Sequence, residues 1–399
     1  MPTAEPISDP PVSTELRLAR SLAEREAIYR FRYQIYVQEM GKHLSYADSE
    51  RQILYDEMDA DADHFMVLAA GEVVAAARLN QLGRTPLSDY WRQIYGLQHW
   101  QGFRPDCLSI SSRLMVASAW RGSAVLAGLL LRLFEHARAR GVRFNFLNCA
   151  PSLLGFYEQL GYRRYTQGFV DEDVGYRIPM VFITEDANYM RRVRSPFWRL
   201  ARKLPTSDAD SLWFEGCFPN HATHLNKRLL DSEEFWDILE HNLHADPTQG
   251  IPLLAGLSEA QAQAFLGSCS LLSCQAGELI IRPGDVGDEL FVVLEGVVEI
   301  WGGSAARPIS LALLGPGELF GEIAFVSRSP RTARVQANTE VKLLILTQAL
   351  LNKAMKTMPE IVARVLLNLS VVLCDRLRGS TQNWVNAVQA VEGQGHDRH

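Results

Sequence analysis

Between residues 251 and 378 the chain is punctuated by Gly277, Gly284, Gly287, Gly296, Gly302, Gly303, Gly315 and Gly317, with short apolar runs in the intervals. Glycine takes the positive-φ turns that tight antiparallel connections demand. Runs this short and this regularly interrupted read as strands of a small antiparallel barrel or jelly roll. An amphipathic helical stretch at 351–378 follows the last of them. A barrel of that size leaves most of the 399 residues to another core, and a chain of this length is expected to form at least two.

The rest of the chain has a different rhythm. Residues 15–184 alternate helical and strand periods: an amphipathic helix at 22–39, strands at 65–70 and 73–79 turning at Gly71, and a strand at 107–117. A helix at 124–140 stopped by Gly141, a strand at 144–148, a short helix at 152–160 stopped by Gly161 and a closing strand at 176–183 follow. A basic run then carries Arg191, Arg192, Arg194, Arg199, Arg202 and Lys203 interleaved with Phe197, Trp198 and Leu200, and 231–241 reads as a helix. The expected division is a loose Pro-rich tail at 1–14, a mixed α/β domain at 15–188, a helical and basic connector at 189–248, a β jelly roll with C-terminal helices at 249–380, and a polar tail at 381–399. The fold class is α+β.

Composition closes off several functions. With 47% hydrophobic and 22% charged residues the chain is globular in type, and a net charge of −6 argues against general nucleic-acid binding. No apolar run reaches the roughly 18 residues of a membrane span. The six cysteines are scattered, which suits reduced thiols in a cytoplasm, and no His/Cys/Asp grouping has metal-ligand spacing.

Two segments carry chemistry. The first is Phe320-Gly321-Glu322-Ile323-Ala324, followed by Arg331-Thr332-Ala333. Arg331 offers a planar fork of donors for a phosphodiester, Glu322 an acceptor for a ribose hydroxyl, and Gly321 a turn that frees backbone amides for an anion. This segment resembles the phosphate-binding cassette of cyclic-nucleotide-binding domains. The likeness extends over about 252–378, including a first hairpin from Ile281 to Gly296. It implies cyclic AMP as effector, or cyclic GMP through the hydroxyl of Thr332, with the helices after Leu351 as hinge and lid. Transcription factors of this type add a helix-turn-helix after the lid; the roughly 20 residues beyond Arg378 are too few for one, so no DNA partner is expected.

The second segment is Ser111-Ser112-Arg113-Leu114-Met115-Val116, followed by Arg121-Gly122-Ser123-Ala124 and, later, Tyr157-Glu158-Gln159-Leu160-Gly161-Tyr162. A strand entering an Arg-Gly turn that opens a helix aims backbone amides at a phosphate. Together these resemble the GCN5-related N-acyltransferase fold, a mixed central sheet with flanking helices. Arg32-Tyr33, Asp56-Glu57-Met58-Asp59, Arg78 and Ser112-Arg113 resemble, in order, motifs of autoinducer (acyl-homoserine-lactone) synthases and N-acyl amino acid synthases.

That resemblance implies transfer of an acyl group from coenzyme A or acyl carrier protein to the amine of an amino acid or similar metabolite. The backbone of Leu114, Met115 and Val116 would hold the thioester carbonyl, and Arg121, Gly122, Ser123 and Ala124 the donor phosphates. Asp56 and Asp59 would bind the amine or guide its deprotonation. Arg32, Arg78 and Arg113 would bind a carboxylate or order the acidic pair, and Tyr157 would protonate the thiolate. One departure stands out: where autoinducer synthases place a glutamate, this chain has Ile110. Either a water relay to Asp56, Asp59 or Glu39 serves instead, or the domain is not an active synthase of that type.

Two other functions fit the same pattern, a protein-lysine acetyltransferase under cyclic-nucleotide control and a non-catalytic sensor of nucleotide and acyl thioester. The run at 191–203 reads as a solvated face, a dock for acyl carrier protein, or an anionic-membrane surface with Phe197 and Trp198 inserted, which would make the protein membrane-peripheral.

Overall fold

The computed structural model describes residues 13–219, 226–267, 269–304 and 307–396. The chain divides into two compact units, Met1–Leu229 with Leu279–Val286, and Leu230–Glu278 with Gly287–His399.

The first unit is built on one mixed sheet in the order Thr14–Leu18, Asp63–Ala69, Glu72–Gln81, Leu108–Val116, Phe144–Cys149, Gly175–Ile183 and Arg163–Arg164. Neighbours are antiparallel except Leu108–Val116 and Phe144–Cys149. Those two run parallel and pair only at Leu108↔Phe144, Ser109↔Asn145 and Ile110↔Phe146. Beyond Ile110 and Phe146 they part, opening a wedge in the sheet. The hairpin at Ala70 and Gly71 has φ of 50° and 87°, the left-handed pair that a two-residue turn requires.

Helices cover both faces. Leu22–Tyr33 begins at a Ser21–Glu24 capping box and buries Ile28 and Phe31 against Met66, Ala76 and Met115. The helix expected over 22–39 changes winding: Gln34–Glu39 is a π-helical turn, which rotates Tyr36 relative to the preceding stripe. On the other face, Ala124–Ala139 buries Leu129 and Leu133 against Phe65, Val67 and Ala77. An aromatic cluster of Tyr95, Trp100, Phe144, Phe146 and Phe218, which no periodicity announced, fills the remaining space.

The second unit packs two antiparallel sheets. One runs Ser270–Cys274, Val341–Thr347, Glu289–Glu295, Leu319–Phe320; the other contains Arg334–Ala337, Val298–Ser304 and Arg307–Leu314. This is the jelly roll that the glycine spacing implied. The single helical stretch expected at 351–378 is two helices, Gln348–Thr357 and Pro359–His396, because Pro359 cannot continue the first. The second helix continues past Gly379 through what was expected to be a polar tail; residues 397–399 lie outside the described residues.

Candidate active site and nucleotide site

Five candidate residues of the first unit converge. Arg32 donates from one Nη to both Asp59 carboxylate oxygens at 2.7 and 2.9 Å. Arg78 reaches Asp59 at 2.8 Å, also pairs with Asp56, and donates from Nε to Ser112 Oγ at 2.9 Å. Arg113 donates to Asp56 at 2.6 Å and to the Tyr46 hydroxyl at 2.9 Å, with its guanidinium between the Tyr36 and Tyr46 rings. His64, wholly buried, accepts from Arg32 at Nδ1 and donates from Nε2 to the Asp59 carbonyl, so it is held neutral as a strut.

Of the two roles read from the sequence for the arginines, this arrangement matches the ordering of the acidic pair. Burial alone would raise the Asp56 and Asp59 carboxyls, but Arg78 and Arg113 outweigh it at Asp56, and Arg32 and Arg78 at Asp59. Asp56 sits well below the usual carboxylate range, and Asp59 is lowered too. A carboxylate so stabilised is a poor proton acceptor at neutral pH. The same pairs neutralise much of the charge on Arg32, Arg78 and Arg113; Arg32 and Arg78 are buried, whereas Arg113 spends one Nη on Asp56 and Tyr46. The cluster is a frame.

The frame positions the wedge. Arg113 has a φ of 55°, and between Ala76 and Arg78 the facing register slips, so the chain bulges there. The bulge takes the Arg113 and Leu114 amides out of the ladder at the point where the strands separate, where a thioester carbonyl could receive them. Ile110 lies buried with Tyr95, Trp100 and Phe146, and a glutamate there would be an unpaired charge in an aromatic core.

A cavity of about 830 Å³ passes through the wedge. Asp56, Arg78, Arg113, Tyr36 and Tyr157 line its polar part; Leu130, Leu133, Phe134, Phe182 and Phe197 line a deep apolar arm against the Ala124–Ala139 helix. Tyr157 stands on the Leu154–Leu160 helix, and burial raises its phenol far above the usual value, so it holds its proton until a strong base arrives. Of the donor-loop residues, Ser123 caps the following helix by accepting from the Val125 amide, while Arg121 is paired with Glu39. Glu39 is therefore tied at the loop, away from a role as base.

Phe197 is buried and stacks on Phe134 at 5.1 Å between centroids, which corrects its expected role as a membrane anchor. The six cations of 191–203 are exposed, and Trp198 lies under Arg202. Phe134 is about 15 Å along its helix from the donor loop. The basic run is thus anchored, through Phe197, beside the apolar wall of the cavity rather than at the 121–124 loop.

In the second unit Gly321 has a φ of 84°, and a Cβ there would lie 2.7 Å from Arg331 Nη1. Arg331 is buried, donating to the Glu289 carboxylate at 2.7 Å and to the carbonyls of Glu289 and Gly321 at 2.9 and 3.0 Å. Glu322, also buried, pairs at 2.9 Å with Arg376 of the long C-terminal helix. Phe320 stacks on Phe291, Ala324 is buried, Ala333 half-buried, and Ile323 and Thr332 are exposed. Glu289 and Arg376, remote in sequence, escaped the sequence reading. Among the described residues no His/Cys/Asp/Glu group could hold a metal ion, and no helix is long and apolar enough to cross a membrane.

Comparison with known proteins agrees with this geometry. Residues 31–131 match the acetyltransferase (GNAT) domain and residues 271–358 the cyclic nucleotide-binding domain, and the chain carries both. It is similar to a cyclic nucleotide-gated potassium channel of Mesorhizobium japonicum (36% identical, covering 28% of this chain and 30% of the channel). It is also similar to a cAMP-dependent protein kinase regulatory subunit of Schizosaccharomyces pombe (28%, 31% of each) and to the cyclic AMP receptor protein of Thermus thermophilus (33%, 33% of this chain and 59% of the receptor). The chain spans under a third of the first two relatives. Among solved structures it resembles the Thermus thermophilus catabolite activator protein (30% identical, TM-score 0.31, 33% of this chain and 61% of that one). Another is the N-terminal domain of a Streptomyces coelicolor transcriptional regulator (35%, TM-score 0.30, 34% and 96%).

Proposed function

We propose that this protein is a cyclic-nucleotide-regulated N-acyltransferase that moves a medium or long acyl group from a thioester to the amine of an amino acid or similar metabolite. The observation that carries this reading is the cavity: it holds the wedge, its wall includes a run of apolar side chains, and at about 830 Å³ it is far larger than an acetyl group needs. In the proposed reaction the amine nitrogen attacks the thioester carbon, and the bulge amides hold the oxygen as it gains charge. The C–S bond breaks as Tyr157 donates its proton to the departing thiolate, and the amine's surplus proton leaves through water, since Asp56 and Asp59 are too acidic to take it. The donor is an acyl-CoA or an acyl carrier protein, which would dock at the 121–124 loop rather than at 191–203.

In the regulatory unit a cyclic nucleotide would place its phosphate at Arg331 and its ribose at Glu322. Binding there competes with Arg376 for Glu322, which gives the ligand leverage over the long helix. Regulation then requires that the nucleotide bind one arrangement of that helix better than another. Cyclic AMP is the first effector to try, because two of the relatives above are cyclic AMP proteins by name. A protein-lysine acetyltransferase is the second reading, but the deep apolar arm does not serve it.

The test is a mass-spectrometric survey of acylated products. The full chain would be given acyl-CoAs of two to sixteen carbons and the common amino acids, with and without cyclic AMP. Transfer confined to acetyl-CoA and peptide lysine would reject the reading; longer acyl products whose yield responds to the nucleotide would support it.

A further inference from the structure

We infer that Arg177 is the anchor for an anionic carboxylate on the acyl acceptor, so that the acceptor is an amino acid and not a simple amine or a polyamine. The inference rests on the acyltransferase reading above and names the substrate class of that same cavity.

Three guanidiniums of the first unit were expected to bind a carboxylate or to order the acidic pair, and all three are paired with Asp56 and Asp59. Arg177 is different. It stands on the Gly175–Ile183 strand, next to Ile178, which pairs with Cys149 beside the wedge, and it lines the cavity. Its one hydrogen bond among the described residues runs to the Val174 carbonyl at 3.1 Å. No carboxylate among the described residues forms an ion pair with it, and its Nε is buried without a partner. A guanidinium has five N–H donors, so four remain for a ligand. A buried donor left unpaired destabilises the fold, and a bound carboxylate would remove that cost while matching the guanidinium fork.

The neighbouring acids do not fill this role. Asp171 accepts from the amides of Asp173 and Val174 at 3.0 Å, and Asp173 from the amide and hydroxyl of Ser45 at 3.2 Å. They brace the turn whose Val174 carbonyl steadies Arg177. Tyr95 and Tyr157 line the same cavity as Arg177. A carboxylate held at Arg177 would therefore share its cavity with the phenol that would protonate the thiolate and with Arg113 and Leu114 of the wedge.

The experiment uses two product-like probes, N-dodecanoylglycine and its uncharged amide N-dodecanoylglycinamide, titrated calorimetrically into the full chain. The wild type should bind the acid at least about tenfold more tightly, the usual worth of a hydrogen-bonded charge contact. Arg177→Met should erase that preference by weakening the acid alone, with unchanged amide binding showing that the cavity is intact. Arg177→Lys should keep part of it. Equal binding of the two probes by the wild type, no binding of either, or a preference that survives Arg177→Met would overturn the inference. A parallel transfer assay separates the two claims. If Arg177→Met abolishes the acid preference but no amine is ever acylated, the anchor stands and the enzymatic reading falls. If transfer proceeds with no acid preference, the reverse holds.

Discussion

Filling the deep arm should convert the enzyme from long to short donors. Ala137 lies in the last turn of the Ala124–Ala139 helix, is 4% exposed and faces the cavity with Leu130, Leu133 and Phe134. From Leu130 to Ala137 the helix rises about 10 Å, so this wall flanks a substantial length of extended acyl chain. Ala137→Phe would place a ring where about four methylenes would lie. At about 0.8 kcal/mol for each buried methylene, the lost interaction is about 3 kcal/mol. That corresponds to a fall of roughly 100-fold in kcat/KM for a sixteen-carbon donor. A four-carbon donor, ending short of the ring, should be almost unaffected. Thiol release measured over a ladder of acyl-CoAs would show the wild-type rise with chain length flattening in the variant. The ring enters open space, so the melting temperature should hold or rise, whereas overpacking would cost about 1–3 kcal/mol. An equal loss at every chain length, or a wild type indifferent to length, would refute the assignment of the arm to the acyl tail.

Other expectations follow from the buried charges. Arg331→Ala should abolish cyclic AMP binding and break the buried ion pair with Glu289, lowering stability; Glu289→Gln with Arg331→Met should recover stability in a thermal melt but not binding in calorimetry. Asp59→Asn should destabilise the first unit by about 3–5 kcal/mol, since Arg32 then loses its carboxylate, and urea melts would show it. Stability should also carry two opposed pH dependences. Glu158, buried beside Arg164, is pushed up to about 7, so the unfolded chain gives up its proton first and stability falls by about 3 kcal/mol as pH rises from about 4.5 to 7. His64, lowered to about 4 by burial and Arg32, acts the other way, with stability lost as pH falls from about 6.5 to 4. Glu158→Gln should unmask the His64 slope in urea melts taken between pH 4.5 and 7.5, and curves parallel to the wild type would contradict the Glu158 assignment.

Legibility in the sequence followed the distance over which each feature is assembled. The nucleotide cassette was readable because Gly321, Glu322 and Arg331 fall within one short segment, and a positive-φ glycine beside an arginine is local chemistry. Its partners Glu289 and Arg376 were not, because antiparallel pairing and a distant helix deliver them. The helix ends read well where capping boxes or glycine mark them, at Ser21 and Gly161. They read badly at Gly379, which the last helix passes through, and at Pro359, where the preceding helix ends and the last one begins. The cavity had no sequence signature, since it is the gap left where two parallel strands stop pairing. Arg177 had a faint one, a lone cation in the strand Gly-Tyr-Arg-Ile-Pro-Met-Val-Phe-Ile, which an all-buried strand would not carry without a use.

The acidic pair shows how a residue can matter to a reaction without taking part in it. Asp56 and Asp59 were expected to bind the amine or guide its deprotonation because two carboxylates near arginines can be either a reactive pair or a neutralised one, and spacing does not distinguish them. The structure does. Three guanidiniums surround two carboxylates, both acids are driven down, and one positive charge remains in excess near the wedge. Arg113, the member bound only to Asp56 of the two acids, is the residue at φ 55°. A non-glycine residue there costs on the order of 1–3 kcal/mol and persists only when its surroundings hold it. Asp56 and the Tyr46 hydroxyl are what hold it. Loss of Asp56 would therefore act through the backbone, letting the bulge relax and moving the Leu114 amide away from the thioester oxygen. The rate would fall at every pH, with the limbs of the pH profile unmoved, which is the signature of a positioning residue and not of a base.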